Sequence, residues 1–160
     1  MEAWQNFFLA QVGASAALAG LIFVSVSISL AQILASPHLT LRALQALAVL
    51  LEILIVSSLM LVPGQGIALL GAEVLILGAL VWIMVATFDL RNLRGAEATY
   101  RRRTWYRTAL SQTAALLYVV AGCVILASGL AGLYWLVPAM LSSFLIAMLD
   151  AWVLLVEIKR

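Results

Sequence analysis

Apolar residues run almost unbroken along this chain, and a short set of breaks divides them, with no sustained alternation of polar and apolar positions. Stretches near 5 to 35, 41 to 62, 66 to 90, 105 to 128 and 132 to 157 each supply the ~20 apolar residues that a helix rising about 1.5 Å per residue needs to cross hydrocarbon. Ser36-Pro37-His38 is expected to end the first, because proline disfavours helix in the residue before it and lacks an N–H. Pro63-Gly64-Gln65-Gly66 predicts a tight turn, and Gly129 to Gly132 a looser one. The pattern therefore predicts an all-α integral membrane bundle of five transmembrane helices, forming a single domain over residues 1–160. The first stretch lacks a basic leader and outlasts a signal peptide's core, so it reads as a retained anchor.

Composition removes the soluble alternative. Hydrophobic residues make up 66% of the 160 positions and charged ones 10%, too few to cover a water-facing globule. Charge placement then gives an orientation. With five spans, the loops after the first and third spans share a side with the C-terminus. That side holds every lysine and arginine: Arg42, Arg91, Arg94, Arg101, Arg102, Arg103, Arg107, Lys159 and Arg160. Basic residues resist translocation, so the expected topology is N-out and C-in. Trp4, Tyr134 and Trp135 then fall at the outer boundary, and Tyr100, Trp105, Tyr106 and Trp152 near the inner one. The lone Cys123 excludes an intrachain disulfide and reads as a small packing residue.

Helix 1 carries two stripes at helical spacing. Gly13, Ala17, Gly20, Val24, Ser27 and Ala31 form a mostly small face, and small residues let helix backbones approach closely in lipid. Gln11, Ser15, Ser25, Ser29 and Gln32 form a polar one. Helix 1 is expected to be the central packing helix of the bundle or of its oligomer. The alternative is that its polar face lines a hydrated path.

Carboxylates are the residues with most chemical content, since an acid in the bilayer interior costs at least ~2.5 kcal/mol and is usually paired or functional. Counting from the 63–66 turn puts Glu52 about 16 Å and Glu73 about 11 Å below it, on consecutive helices. No basic residue lies at that depth. Either both acids are protonated and donate hydrogen bonds to Ser57, Ser58, Gln45 or a backbone carbonyl, or they form a proton-exchanging or cation-binding pair with Gln45 on the same face as Glu52. Nearer the basic side, Arg42 is expected to pair with Asp89 and Arg107 with Asp150, their long stems snorkelling.

The segment from Arg91 to Arg107 holds six arginines, and the Arg101-Arg102-Arg103 run is expected to anchor the chain on anionic lipid headgroups or to dock a partner. It contains no recognisable nucleic-acid-binding module. His38 has no partner at metal-ligand spacing, Gly64-Gln65-Gly66 lacks the Lys-Ser or Lys-Thr of a phosphate loop, and no nucleophile elbow appears. No enzyme activity, metal or cofactor is therefore expected.

The run Phe8 to Gln32, with GASAALAGLIFVSVSISLAQIL at its heart, and SSLMLVPGQG at 57 to 66 resemble a family of small bacterial multi-span membrane proteins, some labelled modulators of the FtsH protease, a membrane-anchored AAA protease. The resemblance implies a bacterial inner-membrane protein and carries no site residues to this chain. Two functions are consistent with the residues. One is an accessory or regulatory protein acting by helix packing, as a homo-oligomer or with a membrane partner; the other is an oligomeric channel or proton/cation pathway.

Overall fold

The computed structural model describes residues 2–35, 37–95 and 101–158. Among them there are helices and no strand: α1 (Glu2–Ile28), α2 (Leu30–Ala35), α3 (Pro37–Met60), α4 (Ile67–Gly95), α5 (Arg101–Ser128), a 3-10 turn (Gly129–Gly132) and α6 (Leu133–Ile158). Four segments are long and apolar enough to cross a membrane: Trp4–Ile28, Leu39–Met60, Ile67–Arg91 and Trp105–Trp152. The last of these contains the 3-10 turn, so it is two helices in series.

Polarity is distributed inside-out relative to a soluble protein. Ile28, Leu21, Phe23, Leu9, Leu80 and Ile76 are among the exposed large side chains, while Ser15, Gln45, Glu52, Ser57, Asp89, Ser111, Ser143 and Asp150 are buried. Water would penalise that arrangement and hydrocarbon favours it.

Contacts gather the chain into two compact units, Met1–Gly64 with Phe144–Arg160, and Gln65–Ser143. In the first, α1 and α2 pack on α3. The first span does not run unbroken to the proline. It stops at Ile28, turns at Ser29 and resumes as α2. Ser25, Ser27 and Ser29 alternate here, and serine hydroxyls compete for helix carbonyls: Ser27 Oγ donates to the Phe23 carbonyl at 2.8 Å. At the break, the N–H groups of Gln32 and Ile33 both turn to the Ser29 carbonyl, each at 3.1 Å. The following corner closes when Thr40 Oγ1 donates to the Ile33 carbonyl at 2.8 Å, over a small core of Ile33, Leu39 and Ala43.

The centre of this unit is α3, not α1. Over half of the apolar window of α3 is buried, at 56%, against 17% for α1. α1 fully buries only a narrow edge of Phe8, Ser15 and Ile22, spaced seven apart, flanked by half-buried residues such as Gln11, Leu18 and Val26. Trp4, Phe7 and Phe8 cluster at its start, with ring centroids 5.3 to 6.0 Å apart.

In the second unit α4 lies against α5, and glycines set how closely. A Cβ at Gly122 would stand 2.6 Å from the Leu75 backbone nitrogen, and one at Gly78 would stand 2.8 Å from Tyr118 Cβ. Gly71 meets Leu126 and Ile125 in the same way. Backbones can approach this closely only where no side chain intervenes. At the end of α5, Gly129 takes a positive φ of 65° and the 3-10 turn folds back on the helix, where Gly132 abuts Ile125. Cys123, beside Gly122, is exposed and does not fill the interior as its apolar surroundings suggested. Its position one residue on from the seam glycine turns it about 100° away from α4.

Candidate functional site

α3 carries Gln45 and Glu52 seven residues apart, hence on one face, and both are buried. Glu52 Oε1 is enclosed with no hydrogen-bond partner. Of the partners expected for it, Ser58 is exposed and bonds back to the Leu54 carbonyl at 2.7 Å. Ser57 is buried on the same helix.

Glu73 is placed differently. It is half-buried two turns into α4 and accepts a hydrogen bond from Gln65 Nε2 at 2.5 Å. Gln65 belongs to the turn made by Pro63 and Gly64, and Gly64 adopts a φ of 75° there. The turn thus presents Gln65 back to the helix it precedes. Glu52 falls in the first unit and Glu73 in the second.

Asp89 is held from α5. Ser111 Oγ donates to Asp89 Oδ2 at 2.5 Å and Gln112 Nε2 donates to the same oxygen at 3.0 Å. The other carboxylate oxygen, Oδ1, is buried without a partner, as is the hydroxyl of Thr108 one turn before. Sequence reading passed over Thr108, Ser111 and Gln112. Their signal was present as three polar residues at helical spacing in an otherwise apolar span, near the same end of the hairpin as Asp89. Asp150 is buried on α6, and Arg107 and Arg42 are half-buried on α5 and α3.

The two stripes of α1 separate clearly. Gly13, Ala17, Gly20, Val24, Ser27 and Ala31 are all exposed, and a Cβ built at Gly13 or Gly20 would meet nothing within 4 Å. The small face is therefore not the face by which α1 packs within the chain. On the polar stripe, Ser15 is buried and donates to the Gln11 carbonyl at 2.7 Å, while Gln11 is half-buried. Ser25 borders an apolar pocket of about 210 Å³ between α1, α3 and α6. Ser29 sits at the helix break and Gln32 is exposed. Within the chain these five residues differ in burial, from Ser15, which is buried, to Gln32, which is exposed.

The side chains of Arg101, Arg102, Arg103 and His38 lie outside the described residues, as do Tyr100, Lys159 and Arg160. Among the described residues no three His, Cys, Asp or Glu side chains converge as a metal-binding group. No protein-family model, curated protein or solved structure matches the chain.

Proposed function

We propose that this chain is a five-span protein of the bacterial inner membrane, N-out and C-in, that acts by helix packing within the bilayer, with a second copy or with a membrane partner. The observation that carries the reading is the outward small face of α1: two glycines with open space where a side chain would stand, flanked by Ala17 and Ser27. In lipid, helix association depends on close packing and hydrogen bonding, and a small, smooth face is the surface that permits it. Five crossings are supported by length. The 48 residues of Trp105–Trp152 hold two helices, each long enough for the ~20 residues a crossing takes. The orientation rests on the one-sided distribution of lysine and arginine. Exposed Tyr134, Trp135, Trp105, Tyr106 and Trp152 near helix ends suit the two interfacial belts. The resemblance of the first span and the 57–66 turn to the family with FtsH-modulator members fits an accessory role and suggests that protease as a partner to test.

The experiment is co-purification of two differently tagged copies from solubilised membranes. Gly13→Leu with Gly20→Leu is expected to leave the monomer folded and to abolish capture of the second copy. Capture unchanged by the double variant removes the small face from the mechanism.

A second reading, an oligomeric proton or cation pathway, is favoured by the unpartnered Glu52 Oε1 in the buried face of α3. Flux in proteoliposomes that Glu52→Gln and Glu73→Gln abolish would put this reading first. No flux in wild type would remove it.

A further inference from the structure

We infer that the apolar pocket between α1, α3 and α6 holds one acyl chain of an anionic phospholipid, drawn from the leaflet on the basic side of the chain. The inference rests on the reading of the chain as membrane-spanning and is independent of the small face of α1. The pocket measures about 210 Å³, and every residue lining it belongs to the first compact unit. Ser25 carries the only hydroxyl among them; Leu18, Leu50 and Ala147 are typical of the rest. An apolar cavity of about 150 Å³ stays dry and admits apolar guests, so this is a place for hydrocarbon and not for water. Leu21, Met148 and Trp152 line it and are exposed, so it opens outward from the chain.

Shape and charge together choose the occupant. The lining runs from Leu18 to Ser25 on α1, about 10 Å, and from Ala147 to Trp152 on α6, about 8 Å. The pocket is therefore long in the direction of the helix axes, which is the direction of lipid tails in a bilayer. A helix of a second copy, about 10–12 Å wide with its side chains, is too broad to enter it. Trp152 and Ala147 stand about 9 and 17 Å from the end of α6 at Ile158, the depth of one leaflet's tails in a ~30 Å hydrocarbon core. Hydrocarbon gains little by leaving other hydrocarbon, so shape holds the tail and the headgroup decides which lipid stays. In the sequence, every lysine and arginine falls on the side of the bilayer that this end of α6 approaches, nine in all against Asp89, Glu97, Asp150 and Glu157. Arg42 stands eight residues before Leu50 on α3, about 12 Å nearer that side. A headgroup above the pocket thus meets a positive surface, which favours an anionic lipid.

The test is native mass spectrometry of the full chain in mild detergent, titrated with dioleoyl phosphatidylglycerol or with dioleoyl phosphatidylcholine, which has the same tails. Wild type is expected to retain one phosphatidylglycerol per chain, saturably, and to hold phosphatidylcholine roughly fivefold more weakly or worse, the worth of one basic residue beside an anionic headgroup. Ala151→Phe places a ring in the pocket and is expected to weaken phosphatidylglycerol retention at least roughly tenfold, the loss of a little over one buried methylene's worth of contact. Gly13→Leu with Gly20→Leu should leave retention unchanged, because those positions lie on the opposite face of α1 from Leu18 and Ser25; this separates the pocket from the small face. Equal retention of the two lipids overturns the inference, as does unchanged retention in Ala151→Phe. So does an Ala151→Phe chain that keeps the lipid and loses capture of a second copy, which would seat a neighbouring chain there. Should Ala151→Phe fail to fold, phosphatidylglycerol with brominated tails decides. One equivalent is expected to quench wild-type tryptophan emission, and quenching undiminished in Trp152→Phe would remove the site.

Discussion

Adding one methyl group at Gly122 tests whether the α4–α5 seam is set by backbone contact. Its Cβ would lie 2.6 Å from Leu75 N, 2.7 Å from Leu75 Cα and 2.8 Å from Leu75 Cβ, where ordinary contact begins at 3.4 Å. Two of those three atoms are backbone, so no rotamer change relieves the clash and the helices must part by about 0.8 Å. Gaps of about 0.5–1 Å forfeit a quarter to a half of the dispersion well at each contact. In lipid that loss is not offset by a hydrophobic gain between helices. Overpacking of this kind costs about 1–3 kcal/mol, and the helix preference of alanine over glycine returns at most about 1 kcal/mol. Gly122→Ala should therefore destabilise the chain by about 1–2 kcal/mol net. Gly13→Ala, built into open space, should be neutral or slightly stabilising. The assay is loss of helicity by circular dichroism during heating or dodecyl sulfate titration of the purified chain in mild detergent. Leu75→Ala should fail to rescue Gly122→Ala, because it leaves Leu75 N, Cα and Cβ in place. A Gly122→Ala protein as stable as wild type, or one rescued by Leu75→Ala, would refute the backbone-contact account.

Glu52→Gln should keep or slightly raise stability, since it removes a buried group capable of charge, while Glu52→Lys should lower expression and melting temperature sharply; equal behaviour of the two would show that the position is not enclosed. Gly64→Ala should cost about 1 kcal/mol, because Gly64 holds a φ of 75° that alanine resists, and Gly66→Ala should not; both are read by the same melting assay. A fluorescent-protein fusion at the C-terminus should glow and an alkaline phosphatase fusion at residue 65 should be active; the reverse pattern would invert the proposed topology.

Local chemistry made some of this architecture legible in advance. The 63–66 turn follows from proline and glycine alone, and α4 begins one residue after it, at Ile67. The break in the first span at Ser29 was hidden, because no single residue there forbids helix. It arises from serines drawing on their own backbone near a corner that Thr40 closes. Which acid meets which partner was less legible still. Asp89 bonds to Ser111 and Gln112 because the glycine seam fixes the rotation of α4 against α5, and glycine spacing at 71, 78 and 122 was the clue present in the sequence. The small stripe on α1 was legible from spacing, but its direction was not: within the chain α1 packs by the edge of Phe8, Ser15 and Ile22, and the small stripe faces outward.

The exposed thiol of Cys123 has a practical consequence. A single cysteine on the outward flank of α5, one residue from Gly122, lets an unmodified chain take one spin label or environment-sensitive dye at a defined place. Accessibility of that probe to oxygen against a water-soluble nickel chelate would report its depth in the bilayer. Broadening between labels on neighbouring copies would measure, without any engineered residue, how near two chains come.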